Sequence, residues 1–283
     1  MNVSKEIKII RELLNLTQEE FSKIIGVTFE TINRWENSYQ ITDEKNINKI
    51  YDFAYKKGIY LNQIYEHILK EEVDLNNQRL LFHGAKKSID FPIDLKHSKK
   101  NNDFGIGFYL GETFEQASTY IYNNESRYVY AFSLSMNNLK VVEFNVNKEW
   151  MLAISYYRGW LDDYCENEII NGIISKVDNA DIIIAPIADN RMFDLITEFV
   201  DGGITDLQCE HALAATNLGK QYVIKNEQTL NNLNLVKECF VSNFEKEMYL
   251  NKRLDFNKHN LNKVKVARIE YRGKGQYIDE ILK

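Results

Sequence analysis

Apolar residues in the first seventy positions recur every three or four places, which is the spacing of an amphipathic helix. The pattern is clear at Ile7 and Ile10, and it returns at Ile32 and Trp35. Charged and polar residues fill the positions between. The spacing predicts five short helices over residues 5–70, with no strand between them.

Helix starts and a tight turn are visible inside this segment. Thr17 and Glu20 have the spacing of a capping box. Gly26 can supply a turn, and Thr28 can cap the helix that follows. Two short helices joined by a four-residue turn with glycine form a helix-turn-helix unit. We therefore predict an all-α domain over residues 1–70.

Beyond Lys70 the pattern changes to short apolar and aromatic runs, mixed with helical stretches. Helices are predicted from Thr113 through Tyr120, at 148–159 and at 165–176, the second of these containing Trp150 as a core residue. Seven runs predict strands: 80–84, 107–110, 128–136, 139–145, 181–185, 221–224 and 235–241. Because strands and helices do not alternate regularly, we predict an α+β domain over residues 78–283.

Hydrophobic residues make up 44% of the 283 positions and charged residues 27%, an ordinary globular composition. The net charge of -6 excludes a basic field over the whole chain. The three cysteines form neither a CxxC pair nor a disulfide framework, and we see no signal peptide or membrane-length apolar run. We expect a cytoplasmic protein with no membrane partner, and no His/Cys spacing predicts a metal site.

The run LTQEEFSKIIGVTFETINRWEN closely resembles the Xre/Cro-like repressor domains. In that family the second helix of the unit enters the major groove and its first residues contact base edges. The resemblance implies DNA binding through Phe29, Glu30 and Arg34, with Thr28 placed for a phosphate. Residues 1–70 nevertheless hold ten basic and ten acidic residues, so a homodimerisation module is the alternative.

Single residues in the second segment indicate little when taken alone. His83 after an apolar strand, or Tyr109 on a strand, is more often structural than functional. Three blocks together say more: LFHG, DFGIGFYLGETFEQASTY and QYVI. They resemble the His-Tyr-Glu branch of the ADP-ribosyltransferase superfamily, and residues 80–283 look like the bacterial domain of unknown function 3990, whose members are predicted to be ADP-ribosyltransferases.

The resemblance implies that NAD is the substrate and assigns roles to four residues. His83 would bind a ribose hydroxyl, and the Gly84 backbone would bind the nicotinamide carboxamide. Tyr109 and Tyr120 would enclose the nicotinamide ring. Aromatic contacts of this kind contribute ~1 kcal/mol beyond burial. The expected activity is transfer of ADP-ribose to an unidentified protein or nucleic acid.

Position 221 departs from that branch, because the residue that opens the third block is Gln221 rather than glutamate. A carboxylate there normally stabilises the oxocarbenium-like transition state. Three alternatives remain open: catalysis with Gln221 itself, catalysis with another acid such as Glu227 or Glu210, or binding of NAD or ADP-ribose without catalysis.

Two further features carry weaker hypotheses. Arg191 after a buried strand is a candidate for phosphate or acceptor contact. Residues 251–283 hold nine basic and four acidic residues, typical of a solvated surface or tail that could meet a nucleic-acid target. The DNA-binding and enzymatic halves together fit a toxin or defence effector that regulates its own gene, with an antitoxin as partner. An NAD-sensing transcription regulator and an NAD glycohydrolase are the alternatives.

Overall fold

The computed structural model of the chain describes residues 3–37, 41, 43–76, 78–86, 88–122 and 127–283. Its first part contains the five predicted helices: α1 (Ser4–Leu13), α2 (Gln18–Ile25), α3 (Phe29–Glu36), α4 (Glu44–Lys56) and α5 (Leu61–Leu75). Ile7, Ile10, Phe21 and Ile32 form a buried core between them. Arg11 of α1 pairs with Glu36 of α3 at 2.6 Å, which fixes the first helix against the third.

The predicted helix starts are confirmed. Thr17 accepts a hydrogen bond from the Glu20 amide and the Glu20 side chain bonds back to it, completing the capping box of α2. Gly26 ends that helix with a φ of 80°, a left-handed conformation that glycine adopts without steric cost. Thr28 then caps α3 by accepting from the Thr31 amide. Local sequence therefore dictates the geometry of the helix-turn-helix unit.

The second part is a mixed α/β region built on one seven-stranded sheet. Its strands are β1 (Gln78–Gly84), β2 (Phe108–Gly111), β3 (Tyr128–Ser135), β4 (Val141–Glu143), β5 (Ile182–Pro186), β6 (Lys220–Ile224) and β7 (Leu233–Phe240). Their order across the sheet is β4-β5-β6-β2-β1-β3-β7. All neighbours are antiparallel except β4 and β5.

Helices pack on the sheet and at its ends: α6 (Phe114–Ile121), α7 (Lys148–Tyr157), α8 (Glu168–Asp178), α9 (Asn190–Val200), α10 (Asp206–Ala214), α11 (Glu227–Leu230), α12 (Asn243–Glu270) and α13 (Ile278–Ile281). The largest hydrophobic cluster contains residues of the four helices α7, α8, α9 and α10 and of strands β5 and β6. The fully buried Trp150 and Phe199 lie within it. A separate cluster on β1, β2, β3 and β6 includes Phe108 and Phe132. The sheet therefore buries apolar residues on both faces.

The helical part contacts the sheet through α1, α4 and α5. The ring of Phe240 on β7 lies 5.3 Å from that of Tyr51 on α4 and 5.8 Å from that of Tyr128 on β3. Leu69 and Val73 of α5 belong to one buried cluster with Phe82. The division of the chain into separately folding domains at 1–70 and 78–283 stays a prediction, but the two parts share apolar surface.

The predicted strands and helices are all present, and several bounds differ. The strand expected at 139–145 covers only Val141–Glu143, and that expected at 235–241 begins earlier, at Leu233. Of the two alternatives for residues 251–283, a solvated surface fits the first twenty residues and a tail does not, because they belong to the 28-residue helix α12 and are mostly exposed. Ser242 caps α12 by accepting from the Glu245 amide. No helix in the described ranges is long and apolar enough to cross a membrane.

Candidate functional site

Three of the residues predicted from the sequence lie on adjacent strands. His83 is on β1, Tyr109 on β2 and Gln221 on β6, and β2 lies between the other two. Strands β2 and β6 pair over the whole length of β2, with Gly111 opposite Gln221. Strands β1 and β2 share a single register pair, Phe82 with Gly111, in the part of the chain that the structure describes. Beside His83 and Tyr109 the two strands therefore separate, and this gap in the sheet is called the parting between β1 and β2.

The side chain of His83 spans the parting from β1 to β2. Its Nδ1 lies 2.7 Å from the main-chain oxygen of Tyr109. Because a carbonyl oxygen can only accept, Nδ1 must carry the proton. Burial lowers the pKa of His83, so the ring is neutral near pH 7. Its Nε2 has no hydrogen-bond partner among the described residues and remains an acceptor.

Gly84 and Gly107 have packing reasons to be glycine. A Cβ on Gly84 would lie 2.2 Å from the main-chain oxygen of Ala117 on α6. A Cβ on Gly107 would lie 2.6 Å from Val223 of β6. Both positions let a helix or strand approach the backbone closely. Contact between the Gly84 backbone and a nicotinamide stays a prediction.

Tyr109 is held through its hydroxyl. The hydroxyl donates to the Gly105 carbonyl at 2.8 Å and accepts from the Phe104 amide at 3.1 Å. Burial raises the pKa of Tyr109 above its ordinary value, which keeps the hydroxyl protonated. The side chain thus fixes the loop before β2, and contact between its ring and a nicotinamide stays a prediction.

Tyr120 is differently placed. It is 62% exposed on α6, and the Lys86 ammonium lies 5.5 Å from its ring centroid. The ring contacts made within the described ranges do not join Tyr109 and Tyr120. The pairing of these two rings around a nicotinamide therefore stays a prediction.

The candidate residues divide between the two faces of the sheet. His83 stacks on Phe108, with ring centroids 4.4 Å apart, and Phe108 belongs to the cluster with Leu110. Side chains alternate along a strand, so Tyr109 points to the opposite face, where it packs against the α7–α10 cluster. By the same alternation and register, Gln221 shares the Tyr109 face. The one hydrogen bond that links the two groups joins His83 Nδ1 to the main-chain oxygen of Tyr109, among the described residues.

Gln221 is 8% exposed, and its amide nitrogen has two acceptors. Nε2 donates to Asp103 Oδ2 at 3.0 Å and to the main-chain oxygen of Pro186 at 3.1 Å. Both neighbours accept only, so the amide nitrogen must face them. The carbonyl oxygen Oε1 has no hydrogen-bond partner among the described residues.

Asp103 and Arg158 were missed as site residues by the sequence analysis. Asp103 is 8% exposed, and Arg158 donates to its Oδ1 at 2.6 and 3.2 Å. The guanidinium also lies 3.6 Å from the ring centroid of Phe193 and 5.9 Å from that of Trp160. An aspartate in a glycine-containing loop is a common turn residue, so no local signal distinguished Asp103.

Neither acid proposed as a substitute for the missing glutamate is hydrogen-bonded to Gln221. Glu227 is exposed on α11, where it lines a surface groove together with Phe91 and Leu235. Glu210 lies on α10. The carboxylate that contacts Gln221 is that of Asp103.

Comparison with known families identifies the second part of the chain. The family described as "Protein of unknown function (DUF3990)" matches residues 80–235, more than half of the chain. The chain belongs to this family. The match covers β1, β2, β5 and β6, and so contains His83, Tyr109, Asp103 and Gln221. No curated protein and no solved structure matches the chain.

A helix-turn-helix family matches residues 7–51 of this DUF3990 chain, which suggests DNA binding. On α3, Phe29 is 45% exposed, and Glu30 and Arg34 are exposed as well. The Thr28 hydroxyl caps α3 and also lies 3.0 Å from the Thr31 hydroxyl. The contacts to the sheet use α1, α4 and α5, so the predicted base-reading face of α3 points to solvent.

Arg191 connects α9 to α12 in the DUF3990 part. Its guanidinium donates to the main-chain and side-chain oxygens of Asn257 on α12, and Arg253 of the same helix pairs with Asp189 at 2.8 Å. A contact between Arg191 and a phosphate stays a prediction. In the described ranges no group of three or more His, Cys, Asp or Glu residues is arranged to hold a metal ion.

Proposed function

We propose that this DUF3990 chain binds NAD at the parting between β1 and β2 and transfers ADP-ribose to a macromolecular acceptor. One observation carries the proposal: His83 and Gln221 each present an acceptor atom without a protein partner among the described residues, on strands that flank the Tyr109 strand. Sugar hydroxyls are donors that such acceptors recognise. The resemblance of the three sequence blocks supplies the rest of the argument.

His83 is suited to orient a ribose. Its Nδ1 proton is held by the Tyr109 carbonyl, which directs the neutral ring and leaves Nε2 to accept from a hydroxyl. A protonated ring would lose that acceptor. Since burial lowers the pKa of His83, the ring keeps this function over the neutral pH range.

Gln221 acts close to the bond that breaks. In the proposed reaction the C1′–nicotinamide bond breaks and the nicotinamide leaves with the bonding electrons. A nucleophile of the acceptor then forms the new bond to C1′ and releases its proton to solvent. The Gln221 carbonyl would hold a ribose hydroxyl while positive charge develops on the ring. The Asp103 carboxylate, which pairs with Arg158, accepts from the Gln221 amide nitrogen at 3.0 Å and polarises the amide.

The helix-turn-helix part adds the regulatory half of the proposal. DNA binding through α3 would let the protein control its own gene, as expected of a toxin or defence effector held by an antitoxin. The second candidate is a transcription regulator that binds NAD without catalysis. It is favoured by the neutral amide at position 221 and by the contacts of Tyr51 with Phe240 and of Tyr128 with Glu44, which join the helical part to the sheet.

Nicotinamide release from NAD by the purified full chain tests the proposal. We expect release by the wild type, and label from adenine-labelled NAD on macromolecules of a cell lysate. Gln221→Ala should lower kcat and leave NAD binding nearly unchanged, because the residue acts mainly on the developing charge. Gln228→Ala on the exposed face of α11 is the matched control.

Three outcomes separate the alternatives. Nicotinamide release without any labelled macromolecule indicates NAD glycohydrolysis. NAD binding without release by the wild type indicates the sensing regulator. Absence of NAD binding contradicts both functions and leaves the helix-turn-helix match as the remaining guide.

A further inference from the structure

Gln221 is surrounded on its nitrogen side by oxygens that only accept. We propose that Asp103, held by Arg158, is the positioning residue that fixes the Gln221 amide with its carbonyl toward the ligand. The same contact explains why this position holds glutamine rather than glutamate. The inference deepens the proposed function and rests on it for its catalytic half, whereas the amide's orientation follows from geometry alone.

The orientation follows from the chemistry of the partners. Asp103 Oδ2 and the Pro186 carbonyl lie 3.0 and 3.1 Å from Nε2, and neither can donate while Asp103 is ionised. A flipped amide would place its oxygen against both and leave three oxygens facing one another. A buried polar atom without a partner costs ~1–3 kcal/mol, so the flipped state is strongly disfavoured.

Arg158 keeps Asp103 in place. Its two hydrogen bonds use Oδ1 alone, which leaves Oδ2 for Gln221. Arg158 is the residue that follows α7. Its guanidinium stacks over the Phe193 ring of α9 and contacts Asp103 in the loop before β2. A chain of hydrogen bonds in a poorly solvated place polarises each member. The Gln221 carbonyl oxygen is therefore a stronger acceptor than that of an isolated amide.

Glutamate at position 221 would change this arrangement. One of its oxygens would take the place of Nε2, which lies 3.0 Å from the Asp103 carboxylate. Two carboxylates this close cannot both ionise without a large cost, so one of them holds a proton. The glutamate that the His-Tyr-Glu branch has at this position is thus incompatible with an ionised Asp103.

Four full-length chains test the pairing: the wild type, Asp103→Asn, Gln221→Glu and the double variant. We expect Gln221→Glu to melt several degrees below the wild type at pH 8, about what one lost buried contact produces. The difference in melting temperature between Gln221→Glu and the wild type should shrink toward pH 5, as one proton binds between the two carboxylates. The double variant should regain part of the loss, since the asparagine that replaces Asp103 can donate to the glutamate that replaces Gln221. Asp201→Asn, exposed at the end of α9, is the control.

The catalytic half has its own readout. Asp103→Asn should lower kcat for nicotinamide release about ten-fold and change KM little, as expected from one hydrogen bond that acts through Gln221. Additive melting shifts in the four chains, or an unchanged kcat in Asp103→Asn, would overturn the inference. If the wild type neither binds nor cleaves NAD, the proposed function fails, and non-additive melting shifts would still support the assigned amide orientation.

Discussion

The side-chain amide of Asn62 donates to the main-chain oxygen of Phe240 at 2.8 Å. The two residues are far apart in sequence, Asn62 on the last helix of the helical part and Phe240 at the end of the last strand. The same nitrogen donates to Glu245 Oε2 at 2.8 Å. All three residues are buried, so this contact links the helical part to the sheet and to α12.

Asn62→Ala should therefore destabilise the full chain. The substitution removes the hydrogen bonds that Asn62 donates to the Phe240 carbonyl and to the Glu245 carboxyl, which costs ~1–3 kcal/mol. Urea unfolding followed by circular dichroism measures the loss. Asn76→Ala is the control, because Asn76 is exposed and its side chain bonds to Glu72 of its own helix. Equal, small effects of both substitutions would contradict the role of Asn62 in the junction.

Glu245 makes the stability of this junction depend on pH. Burial raises the pKa of its carboxyl from 4.5 to about 8, while the hydrogen bond from Asn62 acts in the opposite direction. A folded-state pKa above the unfolded one means that the native state holds the proton more tightly. The contribution of Glu245 to stability is therefore fully present below about pH 4.5 and is lost as pH rises toward 8.

Glu245→Gln should remove this loss of stability with rising pH. Glutamine keeps an oxygen that can accept from Asn62 but carries no charge. We expect the melting temperature of the variant to exceed that of the wild type most clearly near pH 8, with the two curves converging near pH 5. Parallel curves between pH 5 and pH 8 would show that Glu245 does not titrate in this range.

Arg34→Ala should weaken binding to the promoter of the protein's own gene by ~1–3 kcal/mol, the usual worth of a base contact. Arg34 is exposed on α3, away from the contacts that join α1, α4 and α5 to the sheet. Fluorescence anisotropy with promoter and random DNA measures the effect. Lys8→Ala on the exposed side of α1 is the control. If Arg34→Ala weakens both DNAs equally, the residue contacts phosphate rather than bases.

Local rules in the sequence predicted local structure well. Thr17 with Glu20 and Thr28 fixed the starts of α2 and α3, because capping depends only on residues three positions apart. The helix α12 was missed, although Ser242 and Glu245 have the same capping spacing. Its exposed apolar residues, among them Leu254 and Ile269, interrupt the amphipathic pattern on which the prediction relied.

The candidate site was predictable only in part. The resemblance named His83, Tyr109 and Gln221, and the structure places them on adjacent strands. It assigned no role to Asp103, the first residue of the second block, which lies 118 positions from Gln221 in sequence. That contact depends on the order of strands across the sheet, and periodicity along one strand contains no information about which strand is its neighbour.

Binding of NAD to the full chain, measured by calorimetry, tests the central claim most directly. We predict that the wild type binds NAD and that His83→Ala binds it up to about ten-fold more weakly, which corresponds to one hydrogen bond from a ribose hydroxyl to Nε2. His67→Ala, whose exposed side chain lies on α5, should bind NAD as the wild type does. A wild type that takes up no NAD at millimolar concentration, or a His83→Ala variant that binds NAD as tightly as His67→Ala, would contradict it.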